Sequence, residues 1–132
     1  MDAREVAKTI QDQLMGTLGQ AVVWSWGQHG LQSVTGEQAE DLGIECSRGA
    51  LKFNVNGYLH KGHVLVSLNG ADTYDVFICN ISKGKMKIKE KIEGIYFEEF
   101  GSWIDNQVEQ SYEETEKQKV AAIKKKKKNL QP

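Results

Sequence analysis

The spacing of apolar residues changes period along this chain, and each change marks an element. From Asp2 to Leu18, the residues Ala3, Ala7, Ile10, Leu14 and Leu18 recur at steps of three and four with Val6 beside them, which predicts an amphipathic helix. Asp2 is its expected N-cap, reinforced by Glu5, and Gly16 and Gly19 bracket its end. Ala21–Trp26 (AVVWSW) reads as a strand, with Val22, Trp24 and Trp26 on one side. Leu31–Val34 is a short continuation or return strand. Thr35–Gly49 is polar and punctuated by glycine, a loop of about fifteen residues with one helical turn at Glu37–Leu42.

From Ala50 the period becomes two. Leu51, Phe53 and Val55 alternate with Lys52, Asn54 and Asn56, and turn dipeptides at Asn56-Gly57 and Lys61-Gly62 reverse the chain between them. Val64–Cys79 (VLVSLNGADTYDVFIC) then places two runs of β-branched and aromatic residues around Asn69-Gly70-Ala71-Asp72, the strongest hairpin signal in the sequence. Both runs are apolar on both faces in places, which suits interior strands covered by helices on at least one side. After a turn at Ser82-Lys83-Gly84, KMKIKEKI sets Met86, Ile88 and Ile92 against Lys85, Lys87, Lys89 and Lys91. Lysines along one face suit an edge strand that resists pairing with other molecules.

A second helix is expected from about Gly94, with Phe97, Phe100, Ile104 and Val108 as its stripe and Tyr96, Trp103 and Tyr112 flanking it. Glu98 and Glu99 sit near its start, where the helix dipole favours anions. Gly101 inside it reads as a site of close contact with the sheet. These elements make an α+β fold: a mostly antiparallel meander of four or five strands packed by an N-terminal and a C-terminal helix on the same face. One domain is expected over residues 1–112, followed by a charged, lysine-rich tail, 113–132, read as frayed helix passing into disorder.

Composition narrows the class. The 132 residues are 39% hydrophobic and 27% charged, as in an ordinary soluble globular domain. No apolar run is long enough to cross a bilayer, and charges interrupt the N-terminus where a secretion signal would be apolar, so a cytoplasmic location and no membrane partner are expected. The net charge of −1 hides an asymmetry: residues 109–132 hold seven lysines against four glutamates, which leaves −4 on the remainder. A mildly acidic body is a poor general platform for nucleic acid. Lys124–Lys128 is a solvated run that can bind phosphates without sequence preference, and no aromatic residue interleaves with it for base stacking.

Signatures of catalysis are missing: there is no phosphate-binding glycine loop, nucleophile elbow or HExxH pair. His60 and His63 flank a Lys-Gly turn and are expected to face solvent, without the spacing of a zinc site. Cys46 and Cys79 read as free thiols, with Cys79 buried and inert. Asp72 and Asp75 could act as an acid–base pair, but their positions suit turn hydrogen bonding and strand alternation first. Trp24 is expected in the core, whereas Trp26, beside a glycine turn, is equally suited to core and surface. The residues left as candidates for an interaction are Trp26, His29, Asp72, Tyr74 and Asp75, together with Lys85, Lys87, Lys89 and Lys91.

The order WSWGQH, ALKFNVNG, VLVSLNGADTYDVFI and IEGIYFEEFGSWIDNQV resembles a group of small uncharacterised proteins carried by bacterial phages and other mobile elements. The most telling part is Leu68-Asn69-Gly70 followed by Asp72, Tyr74, Asp75 and Val76, then the aromatic-acidic C-terminal helix. The resemblance covers about residues 20–108 and includes no catalytic motif; it implies a cytoplasmic bacterial or viral setting and adds nothing to mechanism. The long loop at Gly36–Gly49 and the lysine tail depart from its pattern. The expected function is that of a non-catalytic interaction or accessory protein without a cofactor, with an unidentified protein partner and a homodimer compatible with it. The alternatives are nucleic-acid binding through the Lys85–Lys91 strand and the Lys124–Lys128 tail and, behind it, an enzyme whose pocket would join Asp72, Asp75 or His29.

Overall fold

The computed structural model describes residues 2–108, so the tail and Tyr112 lie outside the described residues. In chain order the elements are α1 (Ala3–Leu18), α2 (Gln20–Ser25), β1 (His29–Val34), α3 (Gly36–Asp41), β2 (Ala50–Asn56), β3 (Lys61–Leu68), β4 (Tyr74–Ser82), β5 (Lys85–Ile95) and α4 (Phe100–Val108). The strands form one open antiparallel sheet in the order β1-β2-β3-β4-β5, a meander in which every neighbour is consecutive in sequence. The α+β expectation stands, with N-terminal and C-terminal helices packed on a five-stranded sheet.

Asp2 caps α1 by accepting from the Glu5 amide at 2.9 Å. Val6, Ala7, Ile10 and Leu14 are buried along one helix face and join Leu51, Phe53, Val64, Val66, Val76 and Ile78 from one side of the sheet. Phe100, Ile104 and Val108 of α4 complete this core. The alternate residues of the same strands, Ala50, Leu65, Phe77 and Cys79, face the other way and pack with Val34, Ala39 and Ile44 beneath the short helix α3. Period-two register therefore explains why the central hairpin is apolar on both faces.

Three sequence expectations are corrected. AVVWSW is helical, and its burial follows a three-residue step, since Val23 and Trp26 are buried while Trp24 is 62% exposed. A run of six residues fits either period, and tertiary packing decides between them: the Trp26 ring stacks on Phe53 at 6.3 Å and its Nε1 donates to Asp105 Oδ1 at 2.8 Å. The C-terminal helix starts at Phe100 because β5 continues to Ile95. Gly94, at φ +71, allows the strand to continue through a register shift opposite Tyr74–Val76, and its amide donates to Asp75 Oδ1 at 2.9 Å. Phe97 thereby leaves the helical stripe and is exposed. Gly101 is needed for contact with another helix rather than with the sheet, because a Cβ there would lie 3.0 Å from two Leu18 side-chain carbons.

Candidate interaction surface

The residues singled out from the sequence do not converge on one site. Trp26 is fully buried, so it serves the core and cannot anchor a partner. Tyr74 is likewise buried; its ring packs at 5.0 Å from Phe100 and its hydroxyl donates to Gln13 Oε1 at 2.7 Å. Burial outweighs the Gln13 contact and raises its pKa. His29 is exposed at the start of β1, its Nδ1 donating to the Gly27 carbonyl at 2.7 Å.

The two aspartates have separate duties. Asp72 occupies a left-handed position in the β3–β4 loop, at φ +59, and pairs with Arg48 at the surface. Asp75 accepts from Asn69 Nδ2 at 3.1 Å and from the Gly94 amide, tying the loop to the irregular end of β5. Asn69 organises the loop itself through Ala71, Thr73 and the Thr73 hydroxyl. These contacts fix turn and register, as the residue types suggest.

His60 and His63 are not the solvent-facing pair that their turn implies. His60 is buried and its Nε2 donates to the His63 carbonyl at 3.1 Å; His63 Nδ1 accepts from the Ile81 amide at 3.0 Å. Both imidazoles have lowered pKa values, chiefly because burial disfavours their charged forms. Positive neighbours act in the same direction, Lys89 on His60 and Lys52 on His63. Among the described residues, no three metal-ligating side chains cluster. Cys46 is free and exposed, whereas Cys79 is free and buried, its thiol pKa pushed up to about 12.

The surface that remains centres on β5. This strand lies at the edge of the sheet and, among the described residues, pairs only with β4. Its ladder shifts between Ile78 and Cys79, so Lys91 stands opposite Phe77 while Lys87 stands opposite Asn80. Those two partners are an odd number of residues apart, which sends Lys87 and Lys91 to opposite sides of the sheet. The even lysine stripe expected from KMKIKEKI is therefore split. Lys89 reaches the β2–β3 turn, where its Nζ donates to the Leu59 carbonyl at 2.9 Å, and Lys91 pairs with Glu93 at 3.4 Å.

Seven large hydrophobic residues are exposed among the described residues; Ile88 lies on β5 and Tyr96 and Phe97 just after it, while Tyr58 and Leu59 lie in the β2–β3 turn that Lys89 reaches. The exposure of Tyr96 and Phe97 is hidden in the sequence, because Phe97 fits the apolar stripe expected of the C-terminal helix and Tyr96 flanks it. On the α3 face of the sheet, α3, β1, β2 and the β4–β5 tip enclose a separate open groove of about 570 Å³. No helix among the described residues is long and apolar enough to cross a membrane. Comparison of the chain with protein families, with curated proteins and with solved structures finds no match.

Proposed function

We propose that this chain is a non-catalytic protein-interaction module, an accessory protein of a bacterial phage or mobile element working in the cytoplasm, that adds an acidic extended segment of a partner protein to the free edge of β5. The observation that carries this reading is a strand edge that, among the described residues, pairs with β4 alone and carries exposed Ile88, with exposed Tyr96 and Phe97 just after it. Edge amides and carbonyls supply backbone hydrogen bonds to an added strand, and neighbouring side chains supply the selectivity. Ile88, Leu59, Tyr96 and Phe97 would cover apolar residues of the added strand. Four lysines against Glu90 and Glu93 give Lys85–Ile95 a positive balance, which favours an acidic partner and disfavours a second copy of the same edge.

Nucleic acid fits the edge less well, because splitting Lys87 and Lys91 between two sides breaks the line along which a phosphate backbone would run. Affinity capture from source cells separates the readings. The full chain should recover a protein that a variant carrying Lys87→Glu, Lys89→Glu and Lys91→Glu does not, with unchanged far-ultraviolet circular dichroism for the variant. Equal recovery by both chains would overturn the proposal. Recovery of nucleic acid, with affinity falling steeply as salt rises, would replace it with the alternative reading.

A further inference from the structure

The groove on the α3 face is lined by no residue of β5 and has a different chemistry. Its floor is formed by Lys52 and Gln32, which face each other across the β1–β2 pair. The helix α3 makes one wall with Asp41 and Leu42, and the β4–β5 tip closes the far side with Ile81 and Gly84. Thr35 and Gln38 fix the wall through a reciprocal capping box, the Gln38 amide donating to Thr35 Oγ1 and the Thr35 amide donating to Gln38 Oε1. Its volume of about 570 Å³ lies within the usual range of about 300–1,000 Å³ for small-ligand sites.

Charge is distributed unevenly across this groove. Of its lining residues, Asp41 on the α3 wall is acidic and Lys52 on the floor is basic. Lys52 stands opposite Leu65 of β3, which faces α3, so its side chain projects from the same face of the sheet. Among the described residues neither Lys52 nor Asp41 has an ion-pair partner, and they do not pair with each other although they line the same groove. A ligand with a single charge would satisfy one of them and oppose the other. A ligand carrying both charges on an apolar body satisfies both while covering Leu42 and Ile81.

We propose that this groove binds a short zwitterionic peptide of two or three residues, its carboxylate on Lys52, its ammonium on Asp41, and an apolar side chain against Leu42 and Ile81. Titration of the full ¹⁵N-labelled chain with the free tripeptide Ala-Leu-Ala, followed by amide chemical shifts, tests this. Saturating shifts are expected at Gln32, Gln38, Lys52 and Gly84, and N-acetylation or C-amidation of the peptide should each weaken binding by at least tenfold. Lys52→Gln should remove the penalty of C-amidation alone, and Asp41→Asn that of N-acetylation alone. Shifts that never saturate, blocked peptides that bind as tightly as the free one, or octanoate binding as well as the peptide would each overturn the proposal.

Discussion

At the scale of single residues, burial decides what each chemically conspicuous side chain can do. Trp26 is expected to be structural: Trp26→Phe keeps most of the packing on Phe53 but removes the donor to Asp105, and should cost about 1–3 kcal/mol in urea unfolding. The histidines set a pH dependence. Burial lowers the His60 and His63 pKa values below the ordinary 6.5, so between the folded and unfolded values the unfolded chain binds more protons. Their contribution is fully present above pH 6.5 and declines as pH falls below it toward the folded values. His60→Gln should flatten the loss of stability between pH 7.5 and 5.5 relative to the parent, as read from urea midpoints. The thiols should separate by access: iodoacetamide at neutral pH should label exposed Cys46 and leave Cys79 unmodified until the chain unfolds, a difference visible by mass spectrometry.

At the scale of elements, β5 shows both the strength and the limit of reading period from sequence. Its lysines mark an edge strand, and it is one; replacing Lys87 and Lys89 by Thr and Val should promote concentration-dependent self-association in sedimentation velocity by removing charges that oppose edge pairing. The helix α1 and the strands β2 and β5 are legible from period, and β3 and β4 from runs of β-branched and aromatic residues around the Asn69-Gly70 turn. AVVWSW is not, and its outcome depends on Phe53 and Asp105, far away in sequence. The split of the lysines is equally hidden, since the shift opposite Ile78 and Cys79 leaves no mark in KMKIKEKI itself. Of the candidate interaction residues, the lysines and exposed His29 keep that standing, while Trp26 and Tyr74 lose it to burial by partners their local sequence does not announce. The groove wall had one available signal, the Thr35 and Gln38 spacing of a capping box.

At the scale of the whole molecule, the meander divides contacts by their separation along the chain. Strand partners are joined by short turns at β2–β3, β3–β4 and β4–β5, whereas the ties between helices and the rest are remote: Gln13 to Tyr74 spans 61 positions and Trp26 to Asp105 spans 79. Closing a segment of that length costs about 2 kcal/mol more than closing a five-residue turn. The order of assembly follows from this difference. The β2–β3–β4 hairpins should form before the transition state is crossed, and the C-terminal helix should dock onto Trp26 after it. In stopped-flow chevrons, Val66→Ala should therefore slow folding, while Trp26→Phe should leave the folding arm in place and accelerate unfolding. A sheet whose neighbours are all consecutive thus makes the remote Trp26–Asp105 tie a determinant of how long the folded state lasts, rather than of how quickly it is reached.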